Sequence, residues 1–493
     1  MESERPIDQG AARSHRHRAV RGLRWVGSAR LLSQCVTWAL TAVTVRLLQP
    51  ADYGLVATSG LFNILASMVM DGGLSPMLVS RRDLSHRVQG AATVGVCLLS
   101  VIFAAAIALV APLGASFFRN QALAAVLPVA SLQLPLSALA VVPLALLSKE
   151  MSFGRIAVIQ TAASIAQGLA TLAMASRGEA YWALIYGTLF GSTIRTCGLW
   201  LALKDRPPLN WRLWELRPVL RSSVHMVGQR LLYFVSADFD TFLLSRLTGS
   251  AELGPYSLAR TLSHAALDQI AGIVNQVTLP SFAAKAGDQA AQLSALKIML
   301  ALSGSVIFPL FWLLGVISPM VLPLLFGSGW SALVFPFTAF TLMLPLRTVY
   351  ALIDTAVIGT GNTSTTFKNM IVWASIMIPV LLLGAFFGAR GEALAWVIGF
   401  PLVFVSAMHR ISRRFGITLP EILRPLLAPA ACSAATAGLV EVIALLLSPM
   451  LPPLVLLAIE VALAVGLYWA LMVRFGRDHY DQVIGLALQL LGR

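Results

Sequence analysis

The chain has 493 residues, of which 57% are hydrophobic and only 12% charged, and its mean hydropathy is +0.79. A soluble domain keeps roughly a quarter of its residues charged, so this composition excludes a soluble enzyme and points to an all-α, polytopic membrane protein. The net charge of +14 would suggest nucleic acid in a soluble protein; here it is read as Lys and Arg gathered on the cytoplasmic side, with no nucleic-acid partner expected.

Residues 1–24 are polar and basic, with Arg5, Arg13, Arg16, Arg18, Arg21 and Arg24, and are read as a cytoplasmic N-terminus. The apolar run that follows lacks a small-x-small cleavage site, so it reads as a first membrane span rather than a signal peptide. With about 20 apolar residues needed to cross a bilayer, fourteen spans are predicted near 25–47, 53–80, 89–117, 123–148, 157–176, 181–203, 222–247, 254–281, 296–318, 331–357, 370–388, 392–412, 425–447 and 453–473. Twelve is the nearest competing count, because only the short stretch around Pro449–Pro453 separates the last two.

The spans group into an N-lobe (25–203), a linker (204–221), a C-lobe (222–412) and two further helices (413–473), followed by a cytoplasmic tail (474–493). The linker holds Pro207, Pro208, Trp211, Trp214 and several Arg, a composition suited to the bilayer interface. Lys and Arg crowd the N-terminus, every second connection and the tail. The alternate connections hold only Arg119, Arg177 and Arg390, with Arg46 and Arg246 at span ends. An even number of spans with both termini cytoplasmic fits that split, and one misplaced span would scramble it. Cys35, Cys97, Cys197 and Cys432 lie apart in apolar runs, without the spacing of a disulfide framework or a zinc site.

The sequence repeats itself. RLLQPADYGLVA (Arg46–Ala57) returns as RLTGSAELGPYS (Arg246–Ser257), and the ungapped match extends back through Arg30/Arg230, Leu31/Leu231, Leu32/Leu232 and Thr41/Thr241. Leu matches mean little in so apolar a chain, but matched Arg residues inside spans do, because charge there is rare. The first span therefore corresponds to the seventh, and each copy holds six. Six is even, so both copies run in the same direction, related by an axis along the membrane normal, with the working site between them. The phrase itself reads as an outer corner between two spans, with Gly54 and Gly254 letting the chain re-enter and Arg46 and Arg246 reaching the interface.

No lysine sits in a GK[ST] phosphate loop, no HExxH or paired-cysteine motif is present, and no connection is long enough for a catalytic domain. The chain is therefore read as a non-enzyme. Its distinctive groups are the ionisable residues within spans. Arg30, Arg195, Arg230, Arg260 and Arg347 are basic, and Asp71, Asp238, Asp240, Asp268, Asp354, Glu441 and Glu460 are acidic. Such charges face a watery cavity or pair with one another. Guanidinium groups match phosphate bidentately, so the five Arg are candidate cavity residues for an anionic, pyrophosphate-bearing substrate. Structural pairing competes with that reading: Arg260 lies at the depth of Asp238 and Asp240, Arg347 is two turns from Asp354, and Asp71 sits near Arg81 and Arg82. Asp238, Asp240 and Asp268 are candidates for coupling to H⁺ or Na⁺, since a buried carboxylate gains proton affinity. No other cofactor and no metal is expected. Pro128, Pro135, Pro143, Pro309, Pro336 and Pro345 fall within spans, where they kink a helix for packing or for motion.

The stretches VRLLQPADYGLVA, DGGLSPMLVSRRDLS, LSKEMSFGRIAVIQ, GEAYWALIYGTL, LGPYSLARTLS, VTLPSFA and LPLLFGSGWSAL resemble the Wzx-type polysaccharide exporters. More narrowly, they resemble the colanic-acid and xanthan branch of the multidrug/oligosaccharidyl-lipid/polysaccharide superfamily, over about residues 25–420. The resemblance implies two six-helix lobes plus two additional helices. It also implies flipping of undecaprenyl-pyrophosphate-linked oligosaccharide across the bacterial inner membrane by alternating access, gradient coupling, and a cationic central cavity mapping to Arg30 and Arg230, with Arg195, Arg260 and Arg347. Membrane lipids and polysaccharide polymerase or export machinery are the partners it implies. Two other functions stand beside it: a multidrug exporter using cavity acids, and a non-transporting scaffold of a polysaccharide-assembly complex.

Overall fold

The computed structural model describes residues 34–71, 85–216, 237–283, 289–359 and 363–476, together with Phe234. Among them every regular element is a helix. The elements are α1 (34–47), α2 (Pro50–Asp71), α3 (His86–Phe117), α4 (Ala122–Ser131), α5 (Gln133–Lys149), α6 (Phe153–Ala175), α7 (Ala180–Ala202), α8 (237–247), α9 (Ser250–Ala283), α10 (Gln289–Phe326), α11 (Val334–Gly359), α12 (Thr363–Ala385), α13 (Gly388–Phe415), α14 (Leu419–Leu447) and α15 (Pro453–Phe475). α4 and α5 form one membrane span, Ala122–Lys149. The break between them follows from Pro135, which has no N–H to give the Ser131 carbonyl one turn earlier. Counted as spans, a described helix falls in each of the fourteen predicted segments, and nine among the described residues are long and apolar enough to cross a bilayer on that criterion alone.

Local chemistry sets the helix ends. Pro50 and Pro453 open α2 and α15, where a missing N–H is harmless. Gly416 closes α13 in the left-handed conformation at φ 67°. Long apolar stretches bury side chains on one face and leave others, such as Leu109 and Leu113 of α3, exposed.

The chain forms two compact units. Among the described residues, one takes in 34–49, 62–115 and 121–216; the other takes in 50–61, 116–120 and everything from Phe234 onward. In the first unit α7 packs along α6 and α5. Gly187, Gly191 and Gly198 let it do so, because a methyl group at each would lie within 3 Å of Thr171, Gln167 and Ile159 respectively. The indole of Trp200 and the hydroxyl of Thr196 donate across to the Leu139 and Leu136 carbonyls of α5 at 2.9 and 2.8 Å. In the second unit α9 packs on α11, α11 on α13 and α13 on α12, around fully buried Tyr256, Phe340, Trp396 and Phe400. α14 and α15, the pair outside the repeat, pack together and against α10.

The repeated phrase has a different structural meaning from the expected one. Gly54 and Gly254 lie inside the first turns of α2 and α9, and both belong to the second unit. A Cβ on Gly54 would fall 1.9 Å from the Ser250 carbonyl oxygen, and one on Gly254 would fall 1.8 Å from that of Pro50. The glycines therefore bring the two corners onto each other, copy against copy, rather than letting the chain turn. The turn is made by Gly249, at φ 84°. One turn further in, the Thr58 and Ser245 hydroxyls share a 2.7 Å hydrogen bond. Arg246 lies over the Phe117 ring at 5.1 Å.

Candidate functional site

Tyr256, Arg260 and His264 are spaced by four on α9, which puts them on one face. That face meets Asp238 and Asp240 of α8, Arg347 of α11 and Trp396 of α13. Asp240 is fully buried and fully engaged. Its Oδ1 accepts from the Thr241 backbone N–H (2.6 Å), the Thr241 hydroxyl (3.2 Å) and Arg260 Nη1 (3.1 Å). Its Oδ2 accepts from the Tyr256 hydroxyl (2.6 Å) and the Trp396 indole (3.0 Å). Arg260 reaches Asp238 with its other terminal nitrogen at 2.9 Å and also donates to the Ala237 carbonyl and the Thr241 hydroxyl. One guanidinium therefore holds two carboxylates.

Next to it, Arg347 donates to His264 Nε2 at 2.5 Å and stacks over the Trp396 ring at 5.1 Å. Arginine only donates, so His264 Nε2 must accept, and its Nδ1–H must be the group facing the Arg260 carbonyl at 2.7 Å. Two hydrogen bonds thus fix a neutral imidazole between two arginines. α13 adds Glu392, four residues before Trp396 and on the same face. It is fully buried, and neither of its oxygens has a hydrogen-bond partner. It lies within electrostatic reach of Asp240 and Tyr256.

The first unit is different. Arg195 stands on the α7 stripe of Gly187, Gly191 and Gly198 that closes on α6, about 10 Å from the end of its helix at 1.5 Å per residue. It is partly buried, and its Nε has no hydrogen-bond partner. The helices it packs among, α5, α6 and α7, contain no Asp or Glu. It is a cation inside a span with no carboxylate paired to it among the described residues.

The structure therefore brings together Arg260, Arg347, Asp238 and Asp240, and sets Arg195 by itself. Arg30 and Arg230 lie outside the described residues. Asp268 belongs to α9, but its side chain lies outside the described set. Glu392 was not singled out in the sequence. Its signal was the i, i+4 pair with Trp396, hidden because the span was expected to begin at residue 392 and the helix begins one turn earlier, at Gly388. No cluster of His, Cys, Asp and Glu suited to a metal occurs among the described residues. A separate apolar cavity of about 370 Å³ lies between α10, α14 and α15, lined by Val306, Leu310, Leu313, Val440, Val465 and Trp469 among others.

Comparison with known proteins gives this architecture its class. Residues 43–335 match the family model described as "Polysaccharide biosynthesis protein", which spans more than half of the chain. The chain belongs to that family. It is 24% identical over 400 residues to the lipopolysaccharide biosynthesis protein WzxC of Escherichia coli K12, covering 79% of each chain. It is 22% identical over 372 residues to the succinoglycan biosynthesis transport protein ExoT of Rhizobium meliloti, covering 74% of this chain and 75% of that one. Its fold is that of the lipid II flippase MurJ in an inward closed conformation, with a TM-score of 0.77 at 14% identity, covering 92% of this chain and 99% of MurJ. A multidrug-resistance MATE transporter follows, with a TM-score of 0.59 at 17% identity, over 78% of this chain and 94% of that chain. The protein is a multi-pass membrane protein of the transporter class, not an enzyme.

Proposed function

We propose that this chain flips an undecaprenyl-pyrophosphate-linked oligosaccharide across the bacterial inner membrane for surface polysaccharide biosynthesis, both termini being cytoplasmic. Family membership and the MurJ-like fold support the class of reaction. The observation that carries the substrate's charge is Arg195. A guanidinium left without a carboxylate inside a membrane span is stabilised when an anion arrives, and a pyrophosphate presents oxygens in the bidentate geometry that Arg matches. Two of the acids that a cationic drug could use, Asp238 and Asp240, are already held by Arg260. Arg30 and Arg230, at a similar predicted depth from the cytoplasmic side, are proposed to complete the cationic surface. The apolar cavity beside α14 and α15 is suited to the polyprenyl chain, and polymerase and export components are the expected partners.

The test is reconstitution of the purified protein in phosphatidylethanolamine–phosphatidylglycerol vesicles with fluorescent polyprenyl-pyrophosphate oligosaccharide. Arg195→Ala should slow flipping by roughly ten- to a hundredfold, the worth of one charge-assisted contact of about 1.5–3 kcal/mol. Arg195→Lys should retain part of the rate, since it keeps the charge and loses the fork. If Arg195→Ala flips as fast as the unaltered protein, the phosphate contact is wrong.

A further inference from the structure

The buried cluster of the second unit has one group that its hydrogen bonds do not use. Asp240 already accepts five donors, at about the lone-pair capacity of a carboxylate, and Asp238 is bound by Arg260. Asp240 has no room for a proton or a metal ion without breaking existing contacts, while Asp238 is part-exposed and paired with Arg260. Glu392, fully buried with two bare oxygens, is the exception.

We propose that Glu392 is a proton-binding site, protonated in this conformation, and that release of its proton to water is the ion step that transport consumes. This rests on the transport reading above. Charge counting carries it. Asp238 and Asp240 contribute two negative charges and Arg260 and Arg347 two positive ones, with His264 held neutral by its two hydrogen bonds. Among the described residues the cluster is balanced before Glu392 is counted, so an ionised Glu392 would stand unpaired next to Asp240, an arrangement that burial penalises heavily. Asp240 on α8 and Tyr256 on α9 lie within electrostatic reach of it, and Asp238, Arg260, His264 and Arg347 join the cluster through the contacts described above. α12 and α14 bring no charge against it among the described residues. The helix end offers no compensation either. Glu252 of α9 accepts the Ala389 N–H of α13 at 2.8 Å and so occupies the dipole end that would favour an anion.

The ligand is a proton rather than sodium. A hard cation needs several oxygen ligands, and the nearest carboxylate, Asp240, has none to spare. Exchange needs little movement, because Glu392 lies about 6 Å, one helical turn, from the start of α13. The step moves one proton from water onto the carboxylate at one stage and returns it to water at another, with no other bond changed.

Infrared difference spectroscopy on the full chain in nanodiscs tests the protonation state directly. A protonated-carboxyl stretch should be present at neutral pH and missing from Glu392→Gln, which is close to isosteric with the protonated form. A neutral-pH spectrum without that band, or one that Glu392→Gln leaves intact, overturns the assignment. In the vesicle assay an imposed pH gradient should accelerate flipping by the unaltered protein and lose its effect in Glu392→Gln. A variant that still responds to the gradient also overturns it. Should Glu392→Gln be poorly folded, Glu392→Asp, which shortens the side chain but keeps a titratable group, must retain gradient stimulation. Failure of the flippase reading would look different: no lipid would move even in the unaltered protein, while the infrared band would still decide the proton site.

Discussion

At the residue scale the second unit contains an ion network that ranks its own members. Asp240 is fully buried and holds Tyr256, Trp396, Thr241 and Arg260 together, whereas Asp238 keeps 14% of its side chain exposed and binds Arg260 alone. Breaking a buried pair from one side costs about 3–5 kcal/mol, because the surviving charge is left without a partner. Asp240→Asn is therefore expected to lower the unfolding temperature in nanodiscs clearly more than Asp238→Asn. In the Asp238 variant Arg260 still has Asp240, and the loss should be near that of one hydrogen bond, about 1 kcal/mol. Equal losses, or a larger one at Asp238, would show that Asp240 does not dominate the network. The proximity of Arg260 to both acids was legible in the sequence, since all three fall at one depth on consecutive spans. Their sharing of a single guanidinium was not, nor was Glu392, because depth along a helix says nothing about which face a side chain occupies.

At the element scale the glycines of the repeated corner show how a correct motif can carry an unexpected purpose. Sequence shows that Gly54 and Gly254 recur; it does not show whether glycine is needed for a left-handed φ or for close approach. Here α2 and α9 start so near each other that the carbonyls of Ser250 and Pro50 occupy the space of the missing side chains. A methyl group at either position must push backbone, which cannot yield as a flexible side chain would. Gly54→Leu should therefore separate the two helix starts and pull Thr58 away from Ser245. Thr58→Cys with Ser245→Cys, in a background where the four native cysteines are serine, should cross-link under mild oxidation. Adding Gly54→Leu should abolish the cross-link, and persistence at the same rate would mean that something other than the glycine contact holds the corner together. The same contact explains why residues 50–61 belong with the second unit although the repeat counts them in the first. Hydropathy assigns spans, but close glycine packing across them leaves no trace in it.

At the scale of the whole molecule the span count and the charge pattern make one joint claim, because parity links them. Fourteen spans return the C-terminus to the side of the N-terminus, as twelve would; thirteen would not. In the proposed topology the Lys- and Arg-rich connections, including the one holding Lys204, Arg206 and Arg212, face the cytoplasm, and the turns with Arg119, Arg177 and Arg390 face outward. The turn at Arg177–Gly178 joins α6 to α7 and is exposed, with Gly178 at φ 84° and open space around it, so an insertion there should not disturb packing. A fluorescent protein fused after Arg493 should therefore mature in the cytoplasm, and an alkaline phosphatase inserted after Gly178 should be active outside. A dark C-terminal fusion at normal expression would break the parity and remove one span. The place to look would then be Leu447–Pro453, where only a few residues part α14 from α15 and where the apolar composition alone leaves the count least constrained.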